Sequence, residues 1–363
     1  YLAQLTQKVG SAANVEFHAK IVAQKYVQRE LIRSATEIQR RSYDESTDVT
    51  DLIGFAEQEI FKVAEGHVKR SVQSAADVLA RTLAQIEENA KNKSAFNGVP
   101  SGFMALDRVT MGWQPSDLII IAARPSMGKT AFTLTMARNM SVDHEQAVAF
   151  FSLEMSREQL TSRLLSRAAL IPSQNLLTGQ LTEQQWRDIS DAAQTLSQTD
   201  IRIDDNPTLT VSDMNAQCRR VPNLDLVVID YLQLMQSAGS GHSWSNESRT
   251  QAVSDISRML KIMAKELNVP VICLSQLSRA NESRQDKRPM LSDLRESGAI
   301  EQDADVVIGL YRDGYYNKES ETPNLAEAII LKNRKGQTGT VELSWLPEYT
   351  SFSSIEKRRE DDY

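Results

Sequence analysis

The sequence predicts an α/β protein with a mostly parallel sheet, preceded by a helical segment. Two observations support this. From about Gly98 onward, short β-branched runs alternate with helical segments, which is typical of a parallel sheet covered on both faces. Before that point, apolar residues recur every three or four positions, as in amphipathic helices. The expected strands are Leu118–Ala122, Ala147–Ser152, Ile201–Ile203, Leu226–Ile229, Val269–Leu274, Val306–Tyr311, Ala328–Lys332 and Val341–Trp345.

Residues 1–72 read as helical throughout. The polar run Ser42–Thr50 divides them into two amphipathic helices, which we expect to form an antiparallel hairpin. A third helix, about Ser74–Asn89, carries a narrow apolar stripe between two polar linkers. Such a helix docks onto its own domain or onto a neighbouring subunit, and the sequence leaves both open.

The bulk composition is that of a soluble protein. No apolar run approaches the ~20 residues of a membrane helix, and no signal peptide is visible. Two cysteines suit a reducing compartment, so we expect a cytoplasmic location without membrane contact. A net charge of −7 neither indicates nor excludes nucleic-acid binding.

A candidate phosphate-binding loop follows the first expected strand and precedes a helix. It reads Ala123, Arg124, Pro125, Ser126, Met127, Gly128, Lys129 and Thr130. Gly128 allows close backbone approach, Lys129 can reach the β- and γ-phosphates of ATP, and the Thr130 hydroxyl can hold Mg²⁺. Ala123 stands where the usual pattern has its first glycine.

Three further polar residues end or follow expected strands. Asp230 suits a contact with Mg²⁺ beside the phosphate loop. Glu154 can orient the attacking water as a base, or can simply favour the dipole of the following helix. Gln276 can hydrogen-bond the γ-phosphate, or can be an ordinary polar strand terminus.

Lys332 ends another expected strand, and Arg334 follows it closely. Basic residues at a strand end usually form a solvated turn. They can instead act as an arginine finger that meets developing charge in a neighbour's site.

These motifs, in this order, resemble those of RecA-type ATPases, and most closely the bacterial replicative DNA helicases of the DnaB type. The segments that carry the resemblance are Ala123–Thr130, Phe150–Ser156, Val228–Met235, Ser275–Arg279 and Asp293–Asp305, with Ser11–Asn14 in the helical part. The resemblance covers essentially the whole chain. In that family a globular head normally precedes the hairpin. This chain shows no such head, so we expect Tyr1 to be a truncation point.

The resemblance implies three segments. Residues 1–72 would be the hairpin of an N-terminal collar, 73–92 a linker helix, and 93–363 a RecA-like motor. It also implies a ring-shaped homohexamer that moves 5′ to 3′ on single-stranded DNA and binds primase and a helicase loader. In that family's terms, Lys129, Thr130 and Asp230 serve ATP and Mg²⁺, Glu154 is the base and Gln276 senses the phosphate. Lys332 and Arg334 act on the neighbour's nucleotide.

The family's DNA-contacting loop matches Arg295, Glu296 and Gly298. The stretch from Arg279 to Arg295 holds five basic and three acidic residues, a modest bias that a plain surface loop would share. Ser237–Ser248, rich in glycine and serine, is a second candidate for the DNA channel.

Two other functions remain open at this stage. A RecA-type recombinase or repair ATPase would form a filament and would lack the helical segment. A nucleotide-loaded scaffold that recruits primase would hydrolyse little ATP and would have no need of Glu154 as a base.

Overall fold

A computed structural model describes residues 15–44, 48–49, 52–56, 59–60, 75–91, 98–235, 246–294 and 298–355. The chain divides into two compact units, Tyr1–Asn92 and Lys93–Tyr363. Among the described residues, no helix is both long and apolar enough to cross a membrane.

The first unit contains a long helix, α1 (Val15–Ser42), and further helical residues at 52–56 and 59–60. The Ser34 hydroxyl donates to the Glu59 carboxylate at 3.5 Å, and the guanidinium of Arg41 lies 3.7 Å from the centre of the Phe55 ring. Arg41, the later of the two residues in α1, therefore contacts the earlier part of the second segment, and Ser34 contacts its later part. This order is that of an antiparallel pair.

Helix α2 (Ala75–Lys91) completes the described part of this unit. It starts one residue later and ends two residues later than expected. Its apolar stripe is exposed at Val78, Leu79, Leu83 and Ile86.

The second unit is built on one nine-stranded sheet. Its strands are β1 (Leu118–Ala123), β2 (Ala147–Ser152), β3 (Ile201–Asp204), β4 (Leu224–Asp230), β5 (Val271–Gln276), β6 (Val306–Tyr311), β7 (Leu325–Asn333), β8 (Gly339–Leu346) and β9 (Ser351–Ser354). They lie in the order β3-β2-β4-β5-β1-β6-β7-β8-β9. Strands β1 to β6 are parallel, and β7 to β9 continue the sheet in antiparallel fashion.

One helix of this unit precedes β1, and the others lie between the strands in sequence. They are α3 (Met104–Thr110), α4 (Lys129–Asp143), α5 (Arg157–Ala169), α6 (Ser173–Thr178), α7 (Glu183–Ser197), α8 (Val211–Cys218), α9 (Asn246–Leu267), α10 (Gly298–Asp303) and α11 (Asp313–Tyr316).

The core lies on both faces of the sheet, because alternate residues of a strand point to opposite sides. In β1, Ile119 and Ile121 belong to the core that contains Phe132 of α4. Ile120 belongs to the opposite core, which contains Leu260 of α9. The central strand is fully buried, so its carboxyl end is held rigidly where the phosphate-binding loop begins.

The expected fold class is confirmed and all eight expected strands are present, six of them with bounds shifted by one to three residues. The strand expected at Val269–Leu274 begins instead at Val271, because Pro270 has no N–H with which to enter the ladder. Strand β9 was not expected. Its one large apolar residue, Phe352, packs against Phe132 and Trp345 with ring centres 5.4 and 4.8 Å apart.

Candidate nucleotide-binding and catalytic site

The segment Ala123–Thr130 forms a tight loop between β1 and α4. Ser126 and Gly128 both have positive φ angles, 63° and 99°. A side chain at position 128 would meet the Phe352 ring at 3.0 Å, so this position needs glycine for its conformation and for its space. The loop therefore ends with the N-terminus of α4, where free backbone N–H groups favour an anion.

Thr130 and Asp230 meet at the carboxyl ends of β1 and β4. The Thr130 hydroxyl donates to Asp230 Oδ2 at 2.6 Å. Asp230 is fully buried and its Oδ1 atom has no hydrogen-bond partner. Burial raises the pKa of Asp230 to about 6, although the Thr130 hydrogen bond and the positive charge of Lys129 oppose this shift. A hydroxyl beside a carboxylate with an unused oxygen fits Mg²⁺, which prefers few protein oxygens together with phosphates and water.

The Lys129 side chain belongs to the same site as Thr130 and Asp230. Its ammonium group donates to the Ala123 carbonyl at 3.4 Å, which folds the side chain back along the loop. Burial lowers the pKa of Lys129, while the negative charges of Asp230 and Glu154 act in the opposite direction. A desolvated ammonium at a helix N-terminus is suited to contact phosphate oxygens.

Glu154 lies two residues beyond β2 and is exposed. Strand β2 is separated from β1 by β4 and β5 and is not next to it. Its end is nevertheless tied to the site, because the Leu153 N–H donates to the Asp230 carbonyl at 2.7 Å. The acidic residue in the first turn of α5 is Glu158, and the helix begins after Ser156. The position of Glu154 therefore favours contact with the nucleotide site over support of the helix dipole.

Gln276 is the last residue of β5 and pairs directly with Ala123. The next N–H, that of Leu277, donates to the Ala123 carbonyl at 3.1 Å. Arg124 reaches across in turn, since its guanidinium donates to the Leu277 carbonyl at 2.9 Å and to Glu282 at 2.9 Å. The end of β5 and the start of the phosphate-binding loop are therefore fastened to each other.

Lys332 and Arg334 lie at the opposite edge of the sheet from this loop. Lys332 pairs with Val307 near the start of β6, and Val306 pairs with Ile119 near the start of β1. At about 3.3 Å per residue, the three to five residues of β1 between their level and Ala123 separate them from the loop by roughly 10–17 Å. The structure therefore does not bring these two residues to the site formed by the same chain.

Both basic residues contact the C-terminal end of α10 instead. The Lys332 ammonium donates to the carbonyls of Glu301 and of Ala304, the latter at 2.7 Å, and the Arg334 guanidinium donates to the Gln302 carbonyl. Cations at the negative end of a helix are stabilised in this way.

Residues 295–297, with Arg295 and Glu296, lie outside the described residues. Gly298 is the first residue of α10. Most of the second candidate loop, residues 236–245, is also outside them, and α9 already begins at Asn246.

Sequence reasoning missed Arg312, which follows β6 beside the phosphate-binding loop. Its guanidinium donates to the Ser126 carbonyl at 3.1 Å and lies 4.2 Å from the Trp345 ring centre. Its Nε and Nη1 atoms are buried without a partner, and burial lowers its pKa. A lone arginine after a strand carries no sequence signal, so only the fold reveals it.

A second missed residue is Arg163 in α5. Burial lowers the pKa of its guanidinium, whereas the negative charges of Asp230 and Glu154 act to raise it. The negative charges of Asp230 and Glu154 thus act on both Lys129 and Arg163.

This arrangement defines a class of protein. A central parallel strand leads into a phosphate-binding loop, and an aspartate ends a strand two places away, as in nucleotide-binding α/β ATPases with a RecA-like sheet. The comparison with known families narrows the class. Residues 98–354 match the DnaB-like helicase C-terminal domain.

Several known proteins are similar over most of the chain. The replicative DNA helicase DnaC of Bacillus subtilis strain 168 is 49% identical over 99% of this chain and 79% of its own length. The replicative DNA helicase DnaB of Geobacillus stearothermophilus is also 49% identical, with the same coverage.

A solved structure agrees with these relatives. It is a DnaB-like replicative helicase described together with its interactions with primase, which superimposes with a TM-score of 0.77 at 39% identity and covers 98% of this chain and 83% of its own. The chain belongs to the family of DnaB-like replicative DNA helicases, which are ATP-dependent DNA helicases. The resemblance inferred from the motifs is confirmed.

Proposed function

We propose that this chain is the subunit of a ring-shaped homohexamer that hydrolyses ATP to move 5′ to 3′ along single-stranded DNA. By excluding one strand from the ring, it would unwind duplex DNA at a replication fork in the cytoplasm. The observation that carries this proposal is the division of the functional side chains. The phosphate-binding residues lie at one edge of the sheet, and Lys332 lies at the other. A ring with head-to-tail contacts places unlike edges of neighbouring subunits against each other.

The segments keep the roles that the family implies. Residues 1–72 form the hairpin of the collar, 73–92 the linker helix and 93–363 the motor. The exposed apolar stripe of α2, with Leu79, Leu83 and Ile86, gives the linker helix a surface for docking. Primase and a helicase loader are the expected protein partners. The support for primase is the related helicase whose structure is described with primase.

Within one site, the residues divide the work of hydrolysis. Lys129 and the backbone N–H groups after Gly128 hold the β- and γ-phosphates. Thr130 and Asp230 would hold Mg²⁺, which neutralises charge on the phosphates when bound. Glu154 orients the attacking water and accepts its proton. Gln276, beside Ala123, contacts the γ-phosphate and changes position when that phosphate leaves.

The remaining residues act between subunits and on DNA. Arg334, assisted by Lys332, enters the neighbour's site and stabilises the charge that develops on the transferred phosphate. Arg295, Glu296 and Gly298 contact the DNA backbone without reading its sequence. ATP bound at each interface then holds two motors together, and its hydrolysis releases one motor to step along the strand.

Unwinding of forked DNA tests this proposal most directly. A fork with only a 5′ single-stranded tail should be unwound in the presence of ATP and Mg²⁺, and a fork with only a 3′ tail should not. Equal unwinding of both would contradict the direction of movement. ATPase activity that single-stranded DNA does not stimulate, without any unwinding, would favour a scaffold, and a filament on a sizing column would favour a recombinase.

A further inference from the structure

The edge of the sheet that carries the site has one gap in its backbone pairing. Strands β2 and β4 pair as far as Ser152 with Asp230, and β1 and β5 pair as far as Ala123 with Gln276. Between them, β4 and β5 stop pairing earlier, at Ile229 with Cys273. The chain leaves β4 through a short 3-10 helix, Leu232–Leu234, so the pairing of residues between β4 and β5 does not extend to the last three residues of β5.

The side chain of Gln233 fills this gap. Its Oε1 atom accepts from the Gln276 N–H at 3.2 Å, and its Nε2 atom donates to the Gln276 carbonyl at 3.3 Å and to the Ser275 hydroxyl at 3.0 Å. One primary amide thus satisfies both backbone groups of one residue, as a neighbouring strand would do. Leu232, which is fully buried, fixes the turn that presents it.

We propose that Gln233 is a positioning residue for ATP hydrolysis, which fixes the backbone at the end of β5 so that the Gln276 side chain starts from a defined place beside the phosphate-binding loop. This inference rests on the proposed role of Gln276. Gln233 contacts neither the loop nor Asp230 in the described hydrogen bonds, so it acts through Gln276 and not on the nucleotide itself. It also joins the turn that follows Asp230 to the strand that carries Gln276, so these two parts of the site move together.

The test uses the full chain and separates positioning from stability. Gln233→Met keeps the length of the side chain and removes all three hydrogen bonds, and Gln233→Glu keeps one acceptor but loses the donor. In both, we expect ATP affinity, measured with a fluorescent ATP analogue, to stay within about twofold, because Lys129 and Thr130 are unchanged. We expect kcat for hydrolysis to fall roughly 10- to 100-fold, the range for a small displacement of a reacting group.

A double-mutant cycle with Gln276→Ala decides how Gln233 acts. If it acts through Gln276, then Gln233→Met in the Gln276→Ala background should lower kcat no further. Multiplication of the two losses, or a loss of ATP affinity with kcat unchanged, would overturn the inference. The matched control is Gln217→Ala, which removes a similar amide hydrogen bond to Asp204, of 2.9 Å, and should keep kcat. A wild-type chain without DNA-stimulated hydrolysis would refute the proposed helicase function but not this inference, because the cycle is measured on basal hydrolysis.

Discussion

At the scale of single residues, Asp230 shows how a site prepared for a ligand is unfavourable without it. Its carboxyl group is buried, one oxygen has no partner, and burial raises the pKa to about 6. In the unfolded chain the ordinary value is 3.8. Between these two values the folded state binds more protons than the unfolded state. The contribution of Asp230 to stability therefore falls as the pH rises through this window, and its full unfavourable effect is present above pH 6.

Replacement of Asp230 by asparagine should therefore stabilise the nucleotide-free protein and abolish hydrolysis. Asparagine can still accept the Thr130 hydrogen bond, but it carries no charge. At about pH 8 we expect the free energy of unfolding, measured with urea, to rise by about 1–3 kcal/mol. The difference in the free energy of unfolding between the variant and the wild type should narrow as the pH falls from about 6 toward about 4. Asp191→Asn, at an exposed position of α7, should show neither effect. If the Asp230→Asn protein were less stable than the wild type in the same buffer, the attraction between the Asp230 carboxylate and Lys129 would outweigh the cost of burying that carboxylate.

At the scale of elements, the sequence predicts what local patterns determine. The expected strands Ala147–Ser152 and Val306–Tyr311 match β2 and β6 at both ends, because continuous apolar runs between polar residues define them. The capping-box pattern, a serine or threonine followed three residues later by glutamine, is present at Ser156 and Thr182, and hydrogen bonds in both directions form there. Strand β9 escapes prediction, because it is polar except for Phe352 and depends on contacts with distant residues.

The same distinction applies to the site. The phosphate-binding loop and Asp230 follow from motifs whose spacing is local. Gln233 lies within a recognised motif, but its partners, Ser275 and Gln276, belong to another strand. Gln233 has this role only because β4 leaves the sheet just before it, and no sequence pattern predicts where a strand leaves a sheet.

The capping boxes give a matched pair of variants at this scale. Ser156→Ala should lower the free energy of unfolding by about 1 kcal/mol, because the first turn of α5 loses its side-chain acceptor. Thr182→Ala should lower it by a similar ~1 kcal/mol at α7. Only the first should also reduce kcat, because Ser156 ends the turn that holds Glu154. Urea unfolding and steady-state ATPase assays measure the two effects. Equal kcat values in both variants would mean that this turn keeps its shape without the cap.

At the scale of the whole molecule, the proposed roles place two incomplete halves of a catalytic centre on one chain. The carboxyl edge of the sheet carries Lys129, Thr130, Asp230 and Gln276, whereas the other edge carries Lys332 and Arg334. The second group is anchored on its own chain, since the Arg334 N–H donates to the Asp305 carbonyl at 2.9 Å. Asp305 in turn accepts from the N–H of Leu118, the first residue of β1, at 2.8 Å. The proposed finger, Arg334, is thus fastened through Asp305 to β1, the strand that leads into the phosphate-binding loop.

Mixing two inactive variants tests whether the centre is completed between subunits. Arg334→Ala alone should assemble and bind ATP but lose hydrolysis by ~10³-fold or more, as for other arginine fingers supplied in trans. Lys129→Ala should lose phosphate contacts in its own site. In a random equimolar mixture, about one quarter of the interfaces pair an intact Lys129 with an intact Arg334 from the neighbour, so ATPase activity should reappear.

If Arg334 acted within its own chain, each chain would lack one of the two groups and every mixture would stay inactive. Lys335→Ala serves as the control and should keep full hydrolysis. Lys335 lies in the same turn as Arg334, and its replacement removes a hydrogen bond of 2.7 Å to Asp117. An inactive mixture beside an active control would therefore place the function of Arg334 within one chain.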